Sequence, residues 1–351
     1  MSLQSTVMWS IKFSSAGVSA LPIFVFLFLQ CFPITSLAAA GQCNADDKTA
    51  LLSIKAAFQN SDQSFASWTD ATACCDWAGV QCDAASSGRV VGLRVYGDAH
   101  LSGALPDALG DLPSLTNLIF SDLPRLTGSI PSSLTRLSRL STLILTNNTL
   151  SGSIPYYLSQ ITTLRFLDLS YNLLSGPIPP HLSYLKSLFT LRLAHNQLSG
   201  PIPVSFGSFD KKKPPELDLS NNHLAGDIPF QLGLPEWGRI DLSNNDLSGD
   251  ASVLFGSEKG TTRINLSSNR LRFDLTQVTF PVNLVLLYLN RNDISGSIPA
   301  QVNQLNRLVV LNLSYNKLCG EIPAGAVTVK FGPEAYAGNA CLCGPPLNAC
   351  H

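Results

Sequence analysis

Residues 164–185 read LRFLDLSYNLLSGPIPPHLSYL. Leu167 and Leu169 flank Asp168, the alternation of a short strand with its leucines turned inward and the residue between them facing out. Asn172 follows where that strand must bend, and Gly176 and Pro179 punctuate the return. The glycine recurs at Gly103, Gly128, Gly152, Gly176, Gly200, Gly226, Gly249, Gly296 and Gly320, at gaps of 23 to 26 residues with a last gap of 47. That last gap spans two units, with Phe273 in the glycine slot. About ten units result.

Apolar positions, an asparagine and a Gly-x-x-Pro punctuation stay in phase over the whole stretch, which is the leucine-rich repeat pattern LxxLxxLxLxxNxLxGxIP. The expected fold is an α/β solenoid, a right-handed superhelix of about ten repeats over residues 90–323, with a parallel concave sheet and disulfide-bonded terminal caps. No unit of this size buries its apolar edge alone, so each is stabilised by its neighbours. The column Asn148, Asn172, Asn196, Asn222, Asn245, Asn269, Asn292 and Asn316 is expected to turn inward. There its amides would satisfy backbone groups that otherwise cost about 1–3 kcal/mol each when buried. The proline after Ile130, Ile154, Ile178, Ile202, Ile228, Ile298 and Ile322 fixes φ and ends hydrogen bonding on the side opposite the main sheet.

The ends differ. Residues 1–40 hold one base, Lys12, no acid, and the apolar run LPIFVFLFL before SLAAAG, which reads as a signal peptide cleaved after Ala40 rather than a membrane anchor. The later sequence has no run of apolar residues long enough to span a bilayer. Of nine cysteines, Cys31 leaves with the leader. The others sit in a segment 41–89 (Cys43, Cys74, Cys75, Cys82) and a segment 324–351 with its flank (Cys319, Cys341, Cys343, Cys350). An even count in a secreted chain reads as disulfides. Cys43 with Cys74, Cys75 with Cys82, Cys319 with Cys341 and Cys343 with Cys350 is the expected pairing. Zinc at Cys341-x-Cys343 is the competing reading, set aside for want of a matching Cys/His pair. DDKTALLSIKAAF reads as an amphipathic helix with Ala50, Leu51, Ile54 and Phe58 on one face, and Trp68 and Trp77 as capping residues.

Composition narrows the function. Residues are 45% hydrophobic and 13% charged, and Lys+Arg 23 against Asp+Glu 24 gives a net charge of −1. That balance excludes the clustered bases of a nucleic-acid binder. The five histidines fall at unrelated phases of the repeat, no catalytic motif appears, and no catalytic residue, metal or cofactor is expected. The outward middle position of successive strands runs Arg94, Ile119, Ile144, Asp168, Arg192, Asp218, Asp241, Asn265, Tyr288, Asn312. Asp218 and Asp241, on neighbouring strands, could stand at the spacing of a glycosidase pair, but an open solenoid face supplies no water-excluding pocket. Arg192, Arg239 and Arg263 are close enough to form a solvated ion-pair network with these acids. A mixed-charge face beside Phe166, Tyr171, Phe189, Tyr288 and Tyr315 suits a protein partner. Sequons at Asn147, Asn265 and Asn312 project from the sheet side, the last two pressing contacts toward the N-terminal and middle repeats. Lys211-Lys212-Lys213 reads as a solvated loop away from the concave row, the other reading being a contact with acidic polysaccharide.

With CNADDKTALLSIKAAF and SWTDATACCDWAGVQCD at the front, the irregular GDASVLFGSEKGTTRINLSSNRLRFDL at 249–275, and LCGEIP with AYAGNACLCGPPLNAC at the end, the whole mature chain resembles the plant polygalacturonase-inhibiting proteins. The resemblance implies a secreted, extracellular, cell-wall protein, monomeric and without a membrane span. It would bind fungal or insect polygalacturonases through its concave face, block their cleft, and touch pectin. Asp168 and Asp241 would stand in acidic concave positions like the family's. Ala194 and His195 depart from an acid common beside the fifth-repeat asparagine, and Thr262 stands where a longer polar residue can occur. The contact set is then Phe166, Asp168, Tyr171, Phe189, Arg192, His195, Asp218, Arg239, Asp241, Thr262 and Arg263. The alternatives are a co-receptor-like binding module for a peptide or receptor ectodomain, and an ice-binding protein, which requires a regular Thr or Asn array.

Overall fold

The computed structural model describes residues 43–83 and 88–350; the expected leader lies outside them. One eleven-stranded sheet runs the length of these residues. Its first strand, Val80–Cys82, pairs antiparallel to Val90–Tyr96, and every later neighbour is parallel, from Asn117–Leu123 through Phe166–Asp168, Arg239–Asp241 and Arg263–Asn265 to Val310–Asn312. The apolar residues at both LxL positions are buried at every repeat, Leu167 with Leu169, Leu191 with Leu193 and Ile240 with Leu242 among them.

The asparagine column does what its place requires. The amide nitrogen of Asn172 donates to the carbonyls of Leu145, Leu169 and Ser170, while its Oδ1 accepts from the Leu150 N–H of the preceding coil. Asn196, Asn222, Asn245, Asn269, Asn292 and Asn316 repeat this set. The residue before each is held at positive φ though it is not glycine: Asn147, Tyr171, His195, Asn221, Asn244, Ser268, Arg291 and Tyr315 all have φ between 53° and 58°. That conformation disfavours most side chains, asparagine being the common exception, so at Tyr171, His195, Ser268, Arg291 and Tyr315 the turn is held by the buried amide and not by local preference.

Each coil also has a second parallel ladder, which the pattern did not reveal. Short strands at the leucine-Ser-Gly step, such as Leu173–Gly176 and Gln197–Gly200, form a six-stranded sheet, and smaller sheets flank it. After the Ile-Pro step the chain makes one 3-10 turn per repeat, as at Pro180–Tyr184 and Val204–Ser208.

Both ends of the stack are covered. The helix Ala45–Ala57 begins at Asn44, whose Oδ1 accepts from the Asp46 and Asp47 N–H groups, an N-cap arrangement. It buries Ala50, Leu51 and Ile54, and Phe58 is buried just past its end. Trp68 and Trp77 stack beneath it with centroids 5.3 Å apart. At the far end Asn339 extends the amide column one step past the repeats, donating to Leu313 O and accepting from Leu318 N. All four expected disulfides are present: Cys43–Cys74, Cys75–Cys82, Cys319–Cys341 and Cys343–Cys350. The sulfurs of Cys43, Cys74 and Cys75 lie within 4.8 Å of one another, but each is committed to a disulfide. Four disulfides belong to an oxidising, extracellular setting. Among the described residues no helix is long and apolar enough to cross a membrane.

Candidate functional site

Register places the outward row as read. Arg94, Ile119, Ile144, Asp168, Arg192, Asp218, Asp241, Asn265, Tyr288 and Asn312 are successive partners across the sheet. A local device orients its acids. Asp218 Oδ1 accepts from both the N–H and the hydroxyl of Ser220, and Asp241 Oδ1 does the same with Ser243. Asp168 takes the Ser170 N–H. The recurring Asp-Leu-Ser and Asn-Leu-Ser triplets are thus Asx turns that fix a side chain on the face, a signal in the sequence that leucine counting passes over.

The middle of the row lines a depression of about 700 Å³ whose walls include Asp122, Asn147, Asp168, Tyr171, Arg192, His195, Asp218 and Arg239. Arg192 lies 3.9 Å from Asp168 and 3.4 Å from Glu216, and Arg239 lies 3.5 Å from Asp218. The expected ion-pair network therefore forms around Arg192 and Arg239. Arg263 makes no ion pair or side-chain hydrogen bond among the described residues. Among the described residues the Asp241 Oδ2 meets no cation and accepts instead from the Asn265 amide, 3.0 Å away. Tyr171 is 53% exposed and stacks on His195.

The remaining candidates stand elsewhere. Phe166 and Phe189, both partly exposed with centroids 6.1 Å apart, sit toward the start of their strands, outside the depression. Phe189 carries the Arg165 guanidinium 4.5 Å above its ring. It shares a shallow depression with Arg165, Lys186 and Lys213, so the lysine run reaches the margin of the sheet instead of standing apart from it. Lys212 pairs with Glu236, and the Asp210 carboxylate accepts the Lys212 and Lys213 N–H groups, which hold it below the usual carboxylate range. Thr262 lies just before its strand, and its hydroxyl donates to Gly238 O at 2.8 Å; it does not project from the middle row.

The sequons differ in access. Asn147 is exposed at the rim of the central depression, its amide donating to Asp122. The Asn265 amide nitrogen, the atom a glycan would occupy, is engaged with Asp241 and Ser243. Among the described residues Asn312 uses only its Oδ1, toward Ser314.

A stacked solenoid with one polar, aromatic, concave sheet face defines a leucine-rich repeat protein. Family signatures agree: "Leucine rich repeat N-terminal domain" matches residues 44–83, and "Leucine Rich Repeat" matches 163–185, 187–209 and 307–326. Polygalacturonase inhibitor 2 of Arabidopsis thaliana is 46% identical over 93% of this chain and 98% of its own. The polygalacturonase inhibitor of Pyrus communis is 45% identical over the same shares. A plant ice-binding protein of known structure superimposes with a TM-score of 0.85 at 42% identity, over 88% of this chain and 99% of that one. The chain belongs to the polygalacturonase-inhibitor family of leucine-rich repeat proteins.

Proposed function

We propose that this protein is a secreted, cell-wall inhibitor of microbial or insect polygalacturonases, which grips the enzyme with its concave face and obstructs its cleft without performing chemistry of its own. Full-length similarity to polygalacturonase inhibitors carries the reading. The face suits the task. Oriented carboxylates, two paired arginines and the Tyr171–His195 rings surround one open depression, and such mixed polar and aromatic surfaces hold protein partners. A rigid sheet loses little conformational freedom on binding. Arg165, Lys186 and Lys213 at its margin support an accompanying contact with pectin, a polyanion. The irregular succession of Arg, Ile, Asp and Tyr along the row gives no support to ice binding.

The test is reducing-sugar release from polygalacturonate by a panel of fungal and insect enzymes, with and without a molar excess of the protein. Slowed release by at least one enzyme is expected; unchanged rates across the panel would contradict the reading.

A further inference from the structure

The last two concave strands break the polar character of the face. Leu286 and Val310 occupy the outward positions in register with Arg263, and Val285 and Val309 precede them on the same strands' approaches. Val309 is 71% exposed. Together with Tyr288 they wall a trough of about 450 Å³ whose other side is Arg239, Asp241 and Arg263. Val285, Leu286 and Val310 are partly exposed beside Val309, and contiguous accessible aliphatic side chains rimmed by polar groups mark contact sites.

The charges around the trough are unequal in their commitments. Arg239 is paired with Asp218, and Asp241 is occupied by Ser243 and Asn265. Arg263 is exposed and unpaired among the described residues, so the trough offers one guanidinium free to pair beside an aliphatic wall, while the Asp241 carboxylate across from it is hydrogen-bonded to neutral donors and held by Asn265. A polyanionic chain would need a run of cations here, and hydroxyl-rich sugar gains little from valine and leucine.

We propose that this trough is an anchor site for a polypeptide segment that presents an aliphatic side chain next to a carboxylate. The aliphatic group seats against Val285, Leu286, Val309 and Val310 while the carboxylate meets the Arg263 guanidinium, the pairing to which arginine's planar fork is best matched. The proposal needs only that the concave sheet is a contact face, and it stands whether or not the partner is a polygalacturonase. A glycan on Asn312, two residues beyond Val310 on the same side of its strand, would overhang the site.

The test therefore uses enzymatically deglycosylated full-length protein and a random peptide library displayed on phage, with no polygalacturonase present. Peptides selected on the wild type are synthesised and their affinities measured for wild type, Arg263→Glu, Val309→Asp and the convex-face control Val204→Ser. All three substituted side chains are exposed, and unchanged thermal melting checks folding. The expected result is enrichment of peptides with Leu, Ile or Val beside Asp or Glu. Their affinity should fall by at least about tenfold in each trough variant and stay unchanged in Val204→Ser. Absence of enrichment, selected peptides lacking that pairing, or binding retained by both trough variants would overturn the proposal. The inhibition panel reports separately on the enzyme target.

Discussion

The phenol ring of Tyr171 lies almost parallel to the imidazole of His195, with centroids 4.1 Å apart and 12° between planes. Both residues occupy the positive-φ slot just before a buried asparagine, and the backbone there is tied coil to coil, Tyr171 N–H donating to Ala194 O and Asn172 N–H to His195 O. Packing of the repeat thus fixes two rings side by side at the wall of the central depression. The platform exists before any partner arrives, which reduces the ordering cost of binding.

Replacing Tyr171 by alanine should weaken the complex with an inhibited polygalacturonase by about tenfold or more, roughly 1.4 kcal/mol. Because the ring is half exposed, the unfolding free energy should shift by no more than the stacking contribution, ~0.5–1.5 kcal/mol. Calorimetric titration and urea unfolding measure the two effects. Unaltered affinity would remove the ring pair from the contact.

Asn222 illustrates the opposite case. Its side chain accepts from Leu198 N–H and donates to the carbonyls of Leu193, Leu219 and Ser220, all within the core. Asn222→Ala strands those groups, and a loss of at least about 1–3 kcal/mol in stability is expected. Urea denaturation should register it, with a smaller loss for Asn221→Ala on the adjacent, more accessible position.

Asp47 supplies a pH signature. Its carboxylate is buried, 2.8 Å from the Arg89 guanidinium, and accepts the Val90 N–H at 2.7 Å. Burial nevertheless wins over these partners and raises its pKa above the ordinary value. A raised acid pKa means that the folded state binds the proton more tightly than the unfolded chain. Asp47 therefore contributes most to stability when protonated, and its contribution falls as pH rises from about 3.9, the unfolded value, through the folded pKa. Asp47→Asn mimics the protonated form, so its stability relative to wild type should improve with pH across that window and then level off. Urea unfolding of both proteins from acid to neutral pH tests this; a relative stability that worsens with pH would reverse the assignment.

The disulfide Cys319–Cys341 joins the last repeat's strand Lys317–Glu321 to Cys341–Cys343. Replacing both cysteines by alanine should cost about 2–5 kcal/mol. Limited proteolysis should then cut within 324–350 before it touches the middle repeats, because neighbour contacts stabilise a solenoid locally. Simultaneous loss of the whole array would show a tighter coupling than the stacking argument allows.

Much of this molecule is legible in its residues because the repeat imposes one rule many times. The Leu167–Asp168–Leu169 alternation sets strand register, so the outward row follows in order, and the terminal cysteines pair locally. The second ladder at Leu173–Gly176 was hidden because its strands are only a few residues long and pair between coils, leaving no alternation to detect. Asn339 was obscured by the cysteines around it, although it stands one repeat length after Asn316. The aliphatic trough escaped notice for a different reason. Leu286 and Val310 read as core aliphatics, and only their place two residues before Tyr288 and Asn312, the parity that exposes Asp168, marks them as outward.

The most direct test of the central claim compares inhibition constants for one susceptible polygalacturonase across three proteins: wild type, the concave double variant Asp168→Ala/Tyr171→Ala, and the convex variant Val204→Ser. A concave contact predicts much weaker inhibition by the double variant, with the convex variant indistinguishable from wild type. Full inhibition by the double variant, or loss of inhibition in Val204→Ser alone, would place the grip on the other side of the solenoid.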